Sequence, residues 1–195
     1  MPPRVLPAVD LGPEVVQLLL PQRPPMLMVD RIRGIDLEER RLLAVRHVSA
    51  NEPLVTGHFP QLGVVPGVIT VEGLAQAAGL LGRILDAAER FDGDLVDALS
   101  NLERGATLHP GYSASAGAAC TTFLAAGQHL HVVGSTSIKL LAPIFPGCRL
   151  DHHVELTRRL GEGWWFRVRT EVNGRPVAEG TLGASTVPSS WPPQP

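Results

Sequence analysis

The sequence predicts an α+β domain in which an antiparallel sheet wraps one long buried helix. Three observations carry that reading. Residues 68–81 are apolar nearly all round, and a helix without a wet face is surrounded by protein. Two strand-like runs precede it. Three or four more follow it, so the strands cluster around a single helix rather than alternating with several.

Taken in order, the proline-rich ends at 1–13 and 187–195 read as flexible tails of one domain spanning 14–186. PEVVQLLL forms a short helix with Pro13 in its first turn. MLMVDRIRGI (26–35) and RRLLAVRHV (40–48) are strands, joined by the polar hairpin linker DLEER. Pro66 and Gly67 mark the start of the central helix, which turns polar over Arg83–Arg90. Residues 91–128 carry a short helix in FDGDLVDALSNLERG and then the small-residue run SASAGAACTTFLAAG. Their length predicts an insertion, either a surface excursion or a lid or acyl-chain wall. HLHVVGSTSIKLLAP (129–143) is strand-like and broken at Gly134. Leu150, His152, Val154 and Leu156 share one strand face. In WWFRVRTEV, Trp164, Phe166, Val168, Thr170 and Val172 face opposite to Trp165, Arg167, Arg169 and Glu171. Asn173-Gly174 is a hairpin turn.

The chain has 195 residues, 44% hydrophobic and 18% charged, which suits one globular domain. A net charge of −2 gives no footprint for nucleic acid or an anionic membrane. Cys120 and Cys148 are too few to staple such a domain and form no CxxC, so a reduced, cytoplasmic setting and packing roles are expected. The apolar run Val15–Leu20 is too short and acidic-flanked for a signal peptide. The apolar segment around Glu72, interrupted by Gly and Pro, reads as a core helix rather than a membrane span. His129 and His131 share a strand side without an evident third ligand, and no metal or cofactor site is expected. Asp30-Arg31 reads as an ion pair at a strand end.

One constellation carries chemistry. From Phe59 to Gly82 the only charged side chain is Glu72. A carboxylate in apolar surroundings ionises at high cost, and the protonated form is a proton donor. Gln76 stands four residues on, on the same helix face, placed to orient it. His58 precedes the helix start, and the first N–H groups of the helix, with Gly67 allowing close approach, make an oxyanion site. A base, an acid and an oxyanion site suit α-proton abstraction beside a carbonyl with loss of a β-substituent.

The segments LLPQRPPMLMVDRI, NEPLVTGHFPQLGVVPGVITVEGLAQAAGLL, KLLAPIFPGCRL and GRPVAEGTLGA resemble the β-hydroxyacyl-(acyl carrier protein) dehydratases. The combination of GHFP, PGV and E..AQ carries the resemblance. It implies a hot-dog fold and an obligate homodimer, in some members assembled into a trimer of dimers, with His58 of one copy facing Glu72 of the other. His58 would take the α-proton and Glu72 would protonate the departing hydroxyl. The Gly67 N–H would hold the thioester oxygen, while the Val64 carbonyl and Gln76 would orient His58 and Glu72. Phe59 and Pro66 complete the substrate-binding positions of the motif. Gln22, Pro24 and Gln61-Leu62-Gly63 depart from the family pattern.

The activity implied is dehydration of (3R)-3-hydroxyacyl-acyl carrier protein thioesters to trans-2-enoyl thioesters, without metal or cofactor, in fatty acid or related polyketide or lipid synthesis. The acidic carrier would need cations near the tunnel, for which Arg83, Arg90, Arg158 and Arg159 are available. Same-fold alternatives are an acyl thioesterase or an acyl-CoA hydratase. A non-catalytic acyl-binding partner subunit is the alternative of a different class.

Overall fold

The computed structural model describes residues 6–126 and 129–188. Among them the order is β1 (Ala8–Leu11), α1 (Pro13–Leu19), β2 (Arg31–Asp36), β3 (Arg41–His47), α2 (Pro53–Thr56) and α3 (Gly67–Ala88). There follow α4 (Leu95–Ala106), α5 (Ala114–Ala126), β4 (His129–Leu140), β5 (Arg149–Leu160), β6 (Gly163–Val172) and β7 (Arg175–Pro188). The strands form one antiparallel sheet in the order β1-β2-β3-β5-β6-β7-β4. α3 packs against β3 through β7, which is the hot-dog arrangement expected from the sequence.

The alternating strands behave as their period dictates. Leu150, His152, Val154 and Leu156 of β5 are buried, as are Trp164, Phe166, Val168 and Thr170 of β6. They meet Leu74, Ala77, Ala78, Leu80, Leu81 and Ile84 of α3, all nearly or fully buried. Each of these leucines and isoleucines contributes about 1.5–3 kcal/mol by leaving water. Asn173 and Gly174, at φ 52° and 74°, turn β6 into β7. Two successive positive φ values are the geometry that an Asn-Gly pair tolerates.

Several expectations need correction. Residues 6–13 are not a free tail, because β1 pairs with β2 and Leu11 is fully buried. The prolines hid a strand whose apolar residues reach the core. Residues 1–5 and 189–195, the outer parts of the two expected tails, lie outside the described residues. The strand expected over 26–35 begins only at Arg31. Before it, the backbone of Met26 and Met28 bonds to the side chain of Gln76 instead of a neighbouring strand. β4 runs through Gly134 unbroken, absorbing it as a register shift between Val133 and Ser135. Asp30 and Arg31 turn to different partners, since successive strand residues point to opposite faces. Asp30 takes the His47 N–H at 2.6 Å, and Arg31 takes Asp10 at 2.7 Å.

Where an insertion was expected, two helices are built into the core. α4 starts at Asp94, whose carboxylate accepts the Asp97 N–H at 3.0 Å. Leu95, Leu99, Cys120 and Leu124 join the cluster that holds Leu11, Val16 and Leu19. Glu103 of α4 accepts the Gly12 N–H at 2.6 Å, at the start of α1, and an Arg31 guanidinium N–H at 3.3 Å. A long-range carboxylate thus serves a helix start that lacks a side-chain cap of its own.

Candidate active site

A second, smaller core seats the loop before α3. Val55, Val65 and Ile69 pack there with Met28, Val48, Ile144, Leu150 and Val177. The Val65 N–H donates to the Ile144 carbonyl at 2.9 Å, which ties the loop to the segment after β4. Within it, Nδ1 of His58 lies 3.0 Å from the Val64 carbonyl oxygen. A carbonyl only accepts, so this contact selects the Nδ1–H tautomer and leaves the Nε2 lone pair as the base. The Phe59 ring lies beside the imidazole, with centroids 4.0 Å apart. His58 is half-buried and Phe59 is exposed.

The helix start follows directly. Pro66 is extended, at φ −56° and ψ 131°, and Gly67 opens a helix of 22 residues. Its N–H has no acceptor within the helix and lies at the positive end of the helix dipole. A Cβ on Gly67 would meet Cδ1 of Leu140 at the end of β4, so a larger residue there would have to push that side chain aside.

Five residues further on stands the carboxylate. Gln76, 2% exposed, donates from Nε2 to Oε1 of Glu72 at 2.8 Å and to the Met26 carbonyl at 2.6 Å. Its Oε1 accepts the Met28 N–H at 2.7 Å. With both N–H groups donated and its oxygen accepting, this amide ties the Glu72 carboxyl to the chain leading into β2. Glu72 itself is half-buried. Here the expectation of a helix without a wet face holds only on the sheet side. Val68 is 73% exposed, and Val71, Ala75 and Gly79 are partly exposed along the same face. Phe59, Leu62, Leu140, Leu141 and Phe145 are exposed hydrophobics flanking that end of the helix.

The site thus has two halves, His58 with Val64 and Phe59 on the loop, and Glu72 with Gln76 on the helix. Gly67 stands between them in sequence. Among the described residues no hydrogen bond joins the two halves. α3 is long and apolar enough to cross a membrane by length and composition, but most of it is buried in the protein.

Other expected residues fall elsewhere. Arg159 is engaged by Asp86 and Glu89, at 2.9 and 2.7 Å, and Arg158 lies over Trp165. Burial, and then the neighbouring Arg90, pull the Arg83 guanidinium below its ordinary range. Burial pushes the Cys120 and Cys148 thiols up, which makes them poor nucleophiles. Of the His129–His131 pair only His131 has a described side chain, and it stands edge-on to Trp164. Among the described residues no three His, Cys, Asp or Glu side chains converge as a metal site would need.

Two features were missed in the sequence. Arg46 is buried on β3 and pairs with Glu52, and the parity of Leu42, Ala44 and Arg46 was the available signal. The face that His152 shares with Leu150 and Val154 was legible, but not that it stands wholly buried under the helix, where a Cβ on Gly73 would be 2.8 Å from its Nε2.

Residues 20–103 match the FabA-like domain family. The chain is 30% identical over 170 residues to the 3-hydroxyacyl-[acyl-carrier-protein] dehydratase FabZ of Sinorhizobium fredii, covering 87% of this chain and 85% of that protein. In fold it is similar to the dehydratase heterocomplex ApeI:P from Xenorhabdus doucetiae, with a TM-score of 0.57 and 17% identity over 96% of this chain and 95% of that one. It is also similar to the uncharacterized protein PH1136 from Pyrococcus horikoshii, with a TM-score of 0.51 and 12% identity over 94% and 95% of the two chains.

Proposed function

The chain belongs to the family of 3-hydroxyacyl-[acyl-carrier-protein] dehydratases, and from that premise we propose how its own residues carry the reaction. It is a lyase that removes water from 3-hydroxyacyl thioesters in fatty acid biosynthesis. His58, through Nε2, takes the proton from the carbon next to the thioester. The Gly67 N–H stabilises the charge that gathers on the thioester oxygen. Glu72, protonated, gives its proton to the 3-hydroxyl, which leaves as water while the double bond forms. The observation that carries this assignment is the Gln76 clamp, which fixes one carboxyl oxygen and leaves the other open to substrate. The product is the trans-2-enoyl thioester.

The active unit in this reading is a homodimer with shared sites. Two features support it. The described residues leave the Val68–Glu72–Ala75 face of α3 exposed or only partly covered. Among the described residues β4 ends the sheet with one edge unpaired, and it carries exposed Val132, Val133 and Leu140. A second copy laid on both covers the apolar surface and brings its own His58 to Glu72. The carrier is acyl carrier protein, and the setting is the cytoplasm, which suits the two free thiols.

The test is a panel of 3-hydroxyacyl chains of several lengths on acyl carrier protein and on CoA, read by mass spectrometry. Loss of water from carrier-bound substrate is expected. Release of a free thiol identifies a thioesterase instead, and turnover confined to CoA identifies a hydratase.

A further inference from the structure

Arg46 puts a cation on the core face of a strand. It shares the inward side of β3 with Leu42 and Ala44, and its side chain is only 6% exposed. A buried charge persists only where it is paired. The guanidinium binds Oε2 of Glu52, and Oε1 of the same carboxylate accepts the Ser49 N–H at 3.1 Å. Glu52 is also the residue from which α2 starts. Its carbonyl accepts the Val55 and Thr56 N–H groups at 2.9 and 3.1 Å. The His58 N–H in turn reaches the Val55 carbonyl at 3.4 Å. An unbroken chain of bonds therefore runs from the sheet, through one carboxylate, to the backbone of His58.

The same strand also meets the layer under the other half of the site. On the paired strand β5, Leu150 lies opposite Arg46 and the buried His152 opposite Ala44, and Nε2 of His152 sits beneath Gly73, the neighbour of Glu72. Arg46 thus belongs to the sheet under the helix that carries Glu72 and is bonded to the segment that leads to His58.

We propose that Arg46 and Glu52 are positioning residues for dehydration. Their ion pair sets the height and angle at which α2 delivers His58. The proposal rests on the reading of His58 as the base. It predicts a cost in turnover rather than in substrate binding, because the pair does not touch the substrate.

The experiment compares Glu52→Gln, Arg46→Met, their double variant and Arg46→Lys with wild type, alongside His58→Ala. Glu52→Gln is the mildest change, since Glu52 is partly exposed, and it keeps the test open if Arg46→Met does not fold. Folding is checked by circular dichroism and urea midpoint. Each single variant is expected to lower kcat by about 10- to 100-fold, the scale of a misplaced catalytic group, with KM within about threefold of wild type. The double variant should fall no lower than the worse single one, and Arg46→Lys should recover most of the loss. Wild-type kcat in folded Glu52→Gln, or single effects that multiply in the double variant, overturns the proposal. A kcat loss that disappears once the unfolded fraction is corrected for also overturns it, leaving a purely structural pair. If His58→Ala is inactive beside a fully active Glu52→Gln, the positioning role alone fails. If His58→Ala is fully active, the base assignment fails and takes this proposal with it.

Discussion

Gln76 Nε2 stands 2.8 Å from Oε1 of Glu72 and 2.6 Å from the Met26 carbonyl, so one amide joins the acid of the helix to the chain leading into β2. Replacing Gln76 with Leu removes both bonds and strands the Met28 N–H, which the same side chain accepts. A buried polar group left unpaired costs about 1–3 kcal/mol, so the urea midpoint should fall by at least that equivalent. Turnover should fall further than stability explains, because Glu72 loses its fixed orientation. A variant with wild-type kcat per folded molecule would show that the clamp serves the fold alone.

His58→Ala and Glu72→Gln should each remove dehydration to the extent that a positioned acid or base contributes, about 10²- to 10⁴-fold. His58 is half-buried on a loop seated by other residues, and Gln76 keeps two backbone partners when Glu72 is changed. Both variants are therefore expected to stay folded by circular dichroism. Retained turnover in either one rules out the two-residue mechanism.

His152 should make the protein acid-sensitive. Its side chain is wholly enclosed, and Nδ1 lies 2.9 Å from the Thr170 hydroxyl. Burial, then the charges of Arg46 and His153, depress its pKa to about 3 from an ordinary 6.5. Between those values the unfolded chain binds a proton that the folded protein refuses, so stability rises with pH across the window. Above pH 6.5 the full stability is present. Below it, the loss approaches about 1.4 kcal/mol for each pH unit. Urea denaturation from pH 7 to pH 4 measures this against His152→Leu, in which that part of the slope should vanish. Parallel slopes would mean that His152 does not titrate differently on folding.

Glu103→Gln tests how firmly α4 is tied to the N-terminal layer. The carboxylate takes the Gly12 N–H at 2.6 Å and an Arg31 guanidinium N–H, and it is only 8% exposed. The neutral amide keeps the shape and loses the charge-assisted bonds. A loss of about 1–3 kcal/mol is expected in chemical denaturation, with kcat little changed. An unchanged midpoint would show that the apolar contacts of Leu95 and Leu99 hold α4 without it.

What the sequence disclosed was whatever has a period or a fixed turn chemistry. The alternation of Trp164, Phe166, Val168 and Thr170, the Asn173-Gly174 turn and the apolar run of α3 were all readable for that reason. β1 was hidden because it is four residues long and lies among prolines. α5 was hidden because its alanines, glycine and threonines show no amphipathic period. Residues 26–30 looked like a strand, yet Met26 and Met28 bond to a side chain from α3, and only Asp30 reaches β3, through the Val45 carbonyl. At the site, Gln76 could be named from its spacing, four residues after Glu72 on one helix face, whereas Val64 as the partner of His58 came only through the resemblance of the GHFP segment. Arg46 could not be tied to Glu52, because only the turn through Ser49 brings the two together. An all-apolar helix also says that it is covered and leaves open by which chain. The described residues of this chain leave Val68 exposed and Glu72 partly so.

The order in which the chain is made follows from its topology. α3 ends at Ala88, but four of the five strands it packs against, β4 to β7, come after it and finish at Pro188. On the ribosome, a helix long and apolar enough to cross a bilayer emerges while only β1 to β3 exist to shelter it. Apolar surface held open through synthesis is what chaperones bind. The helix that carries Glu72 is therefore also the segment that offers chaperones the longest-lived apolar surface until β7 is made.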